Sequence, residues 1–203
     1  MSLIVIATIQ GIPVTQDTAT SRVYWQSGAN VDADGANGQN GNAFAYRYPD
    51  NKGLDDIYSS AGYPSENWQN VLYNDGSGHP LTDGNGNAYS KTTYTWPGVS
   101  IAARAVDATF VPYVVVNPYV QMNAVGVVIG CKAVVTYNGT SVDAVVADVS
   151  AGNQIGELSI AAAVALGIPS SPRTGGVGSG VQFEFWPGTP AVVNGVTYLL
   201  QPA

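Results

Sequence analysis

The stretch Val142-Asp143-Ala144-Val145-Val146-Ala147-Asp148-Val149-Ser150-Ala151-Gly152-Asn153-Gln154-Ile155-Gly156-Glu157-Leu158-Ser159-Ile160-Ala161-Ala162-Ala163-Val164-Ala165-Leu166-Gly167-Ile168 decides the fold. Its valine-rich opening favours extended backbone up to Asp148. The small residues Ser150 to Asn153 turn the chain. Ser159 then supplies a helix N-cap, Ile160 to Leu166 an apolar body and Gly167 a left-handed stop. The spacing predicts a strand, a loop and one short helix near 159–167, with the carboxylates Asp148 and Glu157 bracketing the loop.

Other runs of β-branched and aromatic residues lie on either side. Phe110 to Val116, Ala124 to Tyr137, Ser141 to Asp148 and Val181 to Trp186 read as strands, with Asn138-Gly139 as a hairpin turn. Such runs build a barrel or a sandwich. Upstream, residues 3–15 and 22–25 read as shorter strands. The tract Gly35-Ala36-Asn37-Gly38-Gln39-Asn40-Gly41-Asn42 reads as loop, and the Tyr-, Asn-, Asp- and Gly-rich chain from Ala43 to Tyr94 as hairpins and long loops. No repeat or linker divides the 203 residues. The expectation is a mainly β single domain over 1–203, loop-rich at 35–100, with its barrel core mainly at 106–187.

Composition narrows the function. With 24 Gly, 12 Pro and 12 Tyr but 10% charged residues, the chain turns often and covers itself with neutral polar groups. Its formal charge of -7 repels phosphate backbones and no basic run occurs, so nucleic acid is not an expected partner. No stretch approaches the length of an apolar membrane span, so insertion is not expected either. Cys131 is the single cysteine; it excludes an internal disulfide and, set in Val127-Val128-Ile129-Gly130-Cys131, reads as a small buried hydrophobe.

A loop that returns on itself can bring side chains nine residues apart across one cleft. Hydrolysis of a glycosidic bond needs such a pair, one carboxyl holding a proton for the leaving oxygen and one ionised. The plainer alternative is that Glu157 favours the helix N-terminus and Asp148 caps a turn. Asp32-Ala33-Asp34-Gly35 resembles a fragment of a calcium loop but has no Glu to close it, so no EF-hand is expected. One of its Asp residues lining a cleft and gripping an ammonium group, or an Asp-Gly turn, accounts for it equally. Tyr46, Tyr48, Trp68, Tyr73, Tyr94, Trp96 and Tyr119 can each stack on a sugar ring or pack against protein. His79 has neither a second His nor a Cys nearby, so neither zinc nor a Ser-His-Asp triad is expected. Gly175-Gly176-Val177-Gly178-Ser179-Gly180 precedes a strand and no Lys-Ser/Thr follows, so it is a connection and not a phosphate loop.

Ala147-Asp148 followed by Gly156-Glu157-Leu158-Ser159-Ile160-Ala161-Ala162-Ala163-Val164-Ala165-Leu166-Gly167 resembles the signature of double-psi β-barrels, including rare-lipoprotein and expansin-like domains. The chain is more specifically similar to the family 75 glycoside hydrolases, the fungal-type endo-chitosanases and their bacterial relatives. Three further segments carry that similarity: Val31-Asp32-Ala33-Asp34-Gly35-Ala36, Tyr46-Arg47-Tyr48-Pro49-Asp50-Asn51-Lys52-Gly53-Leu54-Asp55 and Pro112-Tyr113-Val114-Val115-Val116.

The resemblance implies a double-psi-like barrel and inverting endo-hydrolysis of β-1,4-linked glucosamine. Its carboxyls, Asp148 and Glu157, would then stand about 6.5–9.5 Å apart. Glu157 is assigned as acid and Asp148 as base, with the reverse left open. Asp32, Asp34, Tyr46 and Tyr113 become the expected substrate-binding residues, with no cofactor and no metal. A secreted monomer acting on chitosan or a related amino-sugar polymer is expected, its leader absent from this sequence. The fungal enzymes usually carry Cys where this chain has Ala33. Alternatives are a peptidoglycan glycan-strand hydrolase and a non-catalytic carbohydrate-binding, phage or secretion-associated module.

Overall fold

The computed structural model describes residues 2–38 and 44–201. The loop reading of Gln39 to Asn42 lies outside the described residues. In chain order the strands are β1 (Leu3–Ile9), β2 (Ile12–Asp17), β3 (Val23–Asp32), β4 (Tyr46–Arg47), β5 (Asn87–Ala88), β6 (Tyr113–Val116), β7 (Cys131–Tyr137), β8 (Thr140–Val149), β9 (Glu157–Ser159), β10 (Val177–Val193) and β11 (Val196–Tyr198). The helices are α1 (Trp68–Val71), α2 (Ile101–Arg104), α3 (Pro118–Asn123) and α4 (Ile160–Leu166).

Six strands close a mixed barrel in the order β3-β9-β6-β8-β7-β10, with β10 returning to β3. The β3–β9 and β6–β8 pairs are parallel and the other four antiparallel. The mainly β, double-psi-like barrel expected above is the fold observed.

Alternation along the strands explains the closure. On β3, Val23, Trp25, Ala29 and Val31 point inward, while on β10 Val181, Phe183 and Phe185 do the same. Trp25 stacks on Phe183 at 5.3 Å and 14°, and on Phe185 at 4.8 Å and 20°. Ala133, Val135, Ala144, Val146, Val114 and Leu158 fill the rest of the interior. The interior is therefore dry, and polar chemistry must sit on the outer face.

Helix α4 packs against β3, β6, β7, β8 and β9, burying Ala162, Ala163 and Leu166. Its ends follow the expected chemistry. Ser159 Oγ accepts from Ala162 N at 3.1 Å, and Gly167 takes the left-handed conformation with φ 69°.

Several boundaries differ from the sequence reading. Among the described residues there are three more helices, of 4, 4 and 6 residues, each too short to show a start, body and stop in sequence. Most barrel strands lie within 106–187, and the barrel also takes in Val23–Asp32, a ten-residue strand where a four-residue one is expected from sequence. The strand expected from Phe110 begins at Tyr113, since Asp107 Oδ1 accepts from Thr109 N and Oγ1 and bends the preceding chain. Likewise Ala124 to Val128 is not strand: the end of α3 leaves Val125 91% exposed, and β7 starts after Gly130 at φ 86°. Among the described residues no helix is long and apolar enough to cross a membrane.

Candidate active site

The register of three strands assembles the site. Val115 on β6 is opposite Asp148 on β8 and opposite Glu157 on β9. A bulge makes this possible: Val114 pairs with Val146 and Val115 with Asp148, leaving Ala147 as the extra residue. One inserted residue reverses which side chain faces which side, so Asp148 joins Glu157 on the outer face where Ala147 would otherwise stand. Ala147 O is used by the overlying loop, accepting from Tyr94 N at 2.8 Å.

On the other side of β9, β3 runs parallel with Asn30 opposite Glu157 and Asp32 opposite Ser159. Asp32 therefore shares the face of Glu157, and the turn after β3 adds Asp34. Carboxylate oxygens of Asp32, Asp34 and Asp148 all lie within 4.8 Å of one another. A cleft of about 410 Å³ opens over this face, lined by Asp32, Asp34, Tyr46, Asp55, Glu157 and Arg173 among others. Asp148 is not among its lining residues and meets the cleft through its closeness to Asp32 and Asp34.

The carboxylates are held in different ways. Asp148 Oδ1 accepts from Thr93 Oγ1 at 2.6 Å, Val149 N at 2.8 Å and Thr93 N at 3.1 Å. Burial pushes its carboxyl up, and these three donors oppose the rise by favouring the ion. Glu157 has no hydrogen-bond or ion-pair partner among the described residues. Burial, followed by repulsion from Asp32, Asp148 and Asp55, lifts it to about 8. Both carboxyls are raised by burial, Asp148 against three donors that favour its ion and Glu157 with none.

Asp32 forms the Asx turn anticipated for Asp-Gly, Oδ1 accepting from Asp34 N at 2.9 Å, and it also lines the cleft. Its Oδ2 accepts from Tyr113 Oη at 2.8 Å. Burial and the neighbouring Asp148 raise Asp32 to about 7. Asp34 is raised too, by burial and then Asp32, while Tyr46 Oη donates to its Oδ1 at 2.7 Å. Tyr46 and Tyr113 are buried, so neither offers a ring face for stacking; each meets the site through its hydroxyl. Trp68 and Tyr94 are likewise core residues, whereas Tyr119 is 49% exposed.

Three contributors carried no functional mark in the sequence. Thr93 lies in a loop 55 residues before Asp148. Asp55 sits in a segment read for family likeness alone, and burial raises its carboxyl. Arg173 ties two loops together, its Nη2 donating to the carbonyls of Asn51 at 3.0 Å, Gly53 at 3.2 Å and Asp55 at 3.0 Å.

Asp32, Asp34 and Asp148 could offer oxygen ligands to a hard cation. A cation there would compete with protons, since the three carboxyls crowd like charge together and all are raised. Cys131 is buried, its thiol donating to Trp186 O at 2.8 Å, and takes no part. Neither a protein-family model nor a curated protein matches this sequence.

Proposed function

We propose that this protein is a polysaccharide endo-hydrolase of the family 75 kind, cleaving β-1,4-linked glucosamine with inversion. The observation that carries the reading is the placement of Asp148 and Glu157 on either side of Val115, one clamped by three donors and one unbonded and raised to about 8. In this reading Glu157 protonates the leaving glycosidic oxygen and Asp148 takes a proton from the attacking water.

Inversion belongs to the family likeness and asks for a water between carboxyls about 6.5–9.5 Å apart. Residues opposite a shared neighbour have Cα atoms about 9–10 Å apart, two strand spacings, which is compatible with that separation. A retaining pair would need its carboxyls only about 5–5.5 Å apart. The acidic cleft suits a polymer bearing ammonium groups. Secretion and a monomeric state belong to the same proposal and rest on the family likeness.

The test is release of reducing ends from chitosan, chitin, cellulose and peptidoglycan by the wild type, Asp148→Asn and Glu157→Gln. Chitosan turnover that falls by about 100-fold or more in both variants is expected. Equal turnover in all three proteins would sink the acid–base assignment. Peptidoglycan turnover alone would move the substrate to glycan strands, and polymer binding without product would mark a non-catalytic module.

A further inference from the structure

A second cleft of about 470 Å³ is lined by Tyr48, Pro49, Asp75, His79, Pro80 and Thr82 among others. Tyr46 lines the first cleft and Tyr48 the second. Two residues of backbone span at most about 7 Å, so the linings of the two clefts draw on one short segment at β4 and the residue after it. Tyr48 N donates to Gly86 O at 2.8 Å, fixing the backbone between them.

The walls have the character of a sugar-binding shelf. The Tyr48 ring is backed edge-on by Tyr63 at 5.2 Å and 71°, and Tyr63 in turn by the buried Trp68 at 5.5 Å and 74°. An aromatic column running to the core holds the half-buried Tyr48 in place. The exposed His79 ring lies 6.1 Å from Tyr48, tilted by 30°. Asp75 completes the set. Its carboxylate accepts from Ser77 N and Oγ and from His79 N, and these bonds hold it ionised below the ordinary carboxylate range.

We infer that this second cleft binds further amino-sugar residues of the same polymer, the Tyr48 and His79 rings meeting the apolar ring faces and Asp75 an ammonium group. The inference rests on the reading of the first cleft as a glucosamine-polymer hydrolase. Neither Tyr48 nor His79 nor Asp75 touches the reacting bond. The three set how tightly a long chain is held and leave the chemical step alone.

Steady-state kinetics on long chitosan and on a glucosamine oligomer short enough to fill only the first cleft test this. In Tyr48→Ala, His79→Ala and Asp75→Asn the KM for the long polymer rises by about threefold to tenfold, and kcat and short-oligomer turnover stay as in the wild type. Tyr48→Phe keeps the ring and the wild-type KM. An unchanged polymer KM in His79→Ala and Asp75→Asn, both exposed loop positions, overturns the inference. A wild type that cleaves no glucosamine polymer overturns the hydrolase reading instead. The second cleft is then read by affinity electrophoresis in soluble chitosan: retardation weakened in His79→Ala supports it, and equal or absent retardation overturns it.

Discussion

The barrel and the loop layer over it are stabilised by different physics. Inside the barrel, Trp25, Phe183 and Phe185 stack among alternating aliphatic side chains, and strand pairing satisfies the backbone. In the described part of the layer from Ala33 to Pro112 the regular elements are two two-residue strands and two four-residue helices. Its order comes from side chains bonded to backbone. Buried Asn37 accepts from Ser90 N at 2.8 Å and donates to Ser90 O at 2.8 Å, while Ser90 Oγ accepts from Gly35 N at 2.9 Å. Asp75 and Asp83 anchor tight turns in the same way. The barrel supplies a rigid row of strands, and the layer supplies walls and the clamp on Asp148.

Truncating the barrel core breaks that contrast most severely. Phe183→Ala removes one of the two rings stacked on Trp25 and lowers unfolding free energy by about 3–5 kcal/mol, read by chemical denaturation. Slow-exchanging amides of β3, β7 and β10 lose protection together, since the cost is global. A loss under about 1 kcal/mol would mean that the barrel interior is not the stabilising core.

A second test acts where the two regions meet. Unfolded carboxyls titrate near pH 4, whereas Asp32 is raised to about 7 and Glu157 to about 8 in the folded chain. A raised carboxyl favours folding below its unfolded value, and that contribution is lost as pH climbs through the folded value. Between about pH 4, the unfolded value, and about pH 8, the higher folded one, stability therefore falls by a few kcal/mol. Glu157→Gln flattens the fall. A melting temperature that rises across that window would contradict the buried-carboxyl picture.

The layer responds differently to its own substitution. Asn37→Ala leaves the Ser90 backbone N–H and carbonyl without the partners they now have, costing about 1–3 kcal/mol. Hydrogen exchange is expected to quicken at residues 35–37 and 88–92 while β7 and β10 keep their protection. Uniform loss of protection would show that layer and barrel unfold as one unit.

Sequence legibility follows the same division. Strands β7, β8 and β10 were readable because one face is dry and the pattern alternates, and α4 because Ser159 and Gly167 mark both ends. β3 was cut short because Gln26, Gly28 and Asn30 weaken the apolar signal, though each of them faces outward or sits at a bend of a true barrel strand. Asp148 and Glu157 could be named together, but their common face depends on the Ala147 bulge, and a one-residue register shift leaves no compositional trace. Thr93, Asp55 and Arg173 reach the site through loop closure over long sequence separations, for which no local pattern exists.

The smallest effect expected is the most specific to the clamp. Thr93→Val removes the 2.6 Å hydroxyl bond to Asp148 Oδ1 and keeps the backbone donor at 3.1 Å. With one fewer donor favouring the ion, the Asp148 carboxyl rises further, so the acidic limb of kcat/KM moves to higher pH. Turnover at the optimum falls by about tenfold, and Thr93→Ser restores both the limb and the rate. Thr93 is an exposed loop residue, so a loss of folding is not expected to imitate this result. An acidic limb that stays in place in Thr93→Val, despite a lower rate, would make Thr93 a packing residue and leave the backbone N–H groups of Thr93 and Val149 as the donors that favour the Asp148 ion.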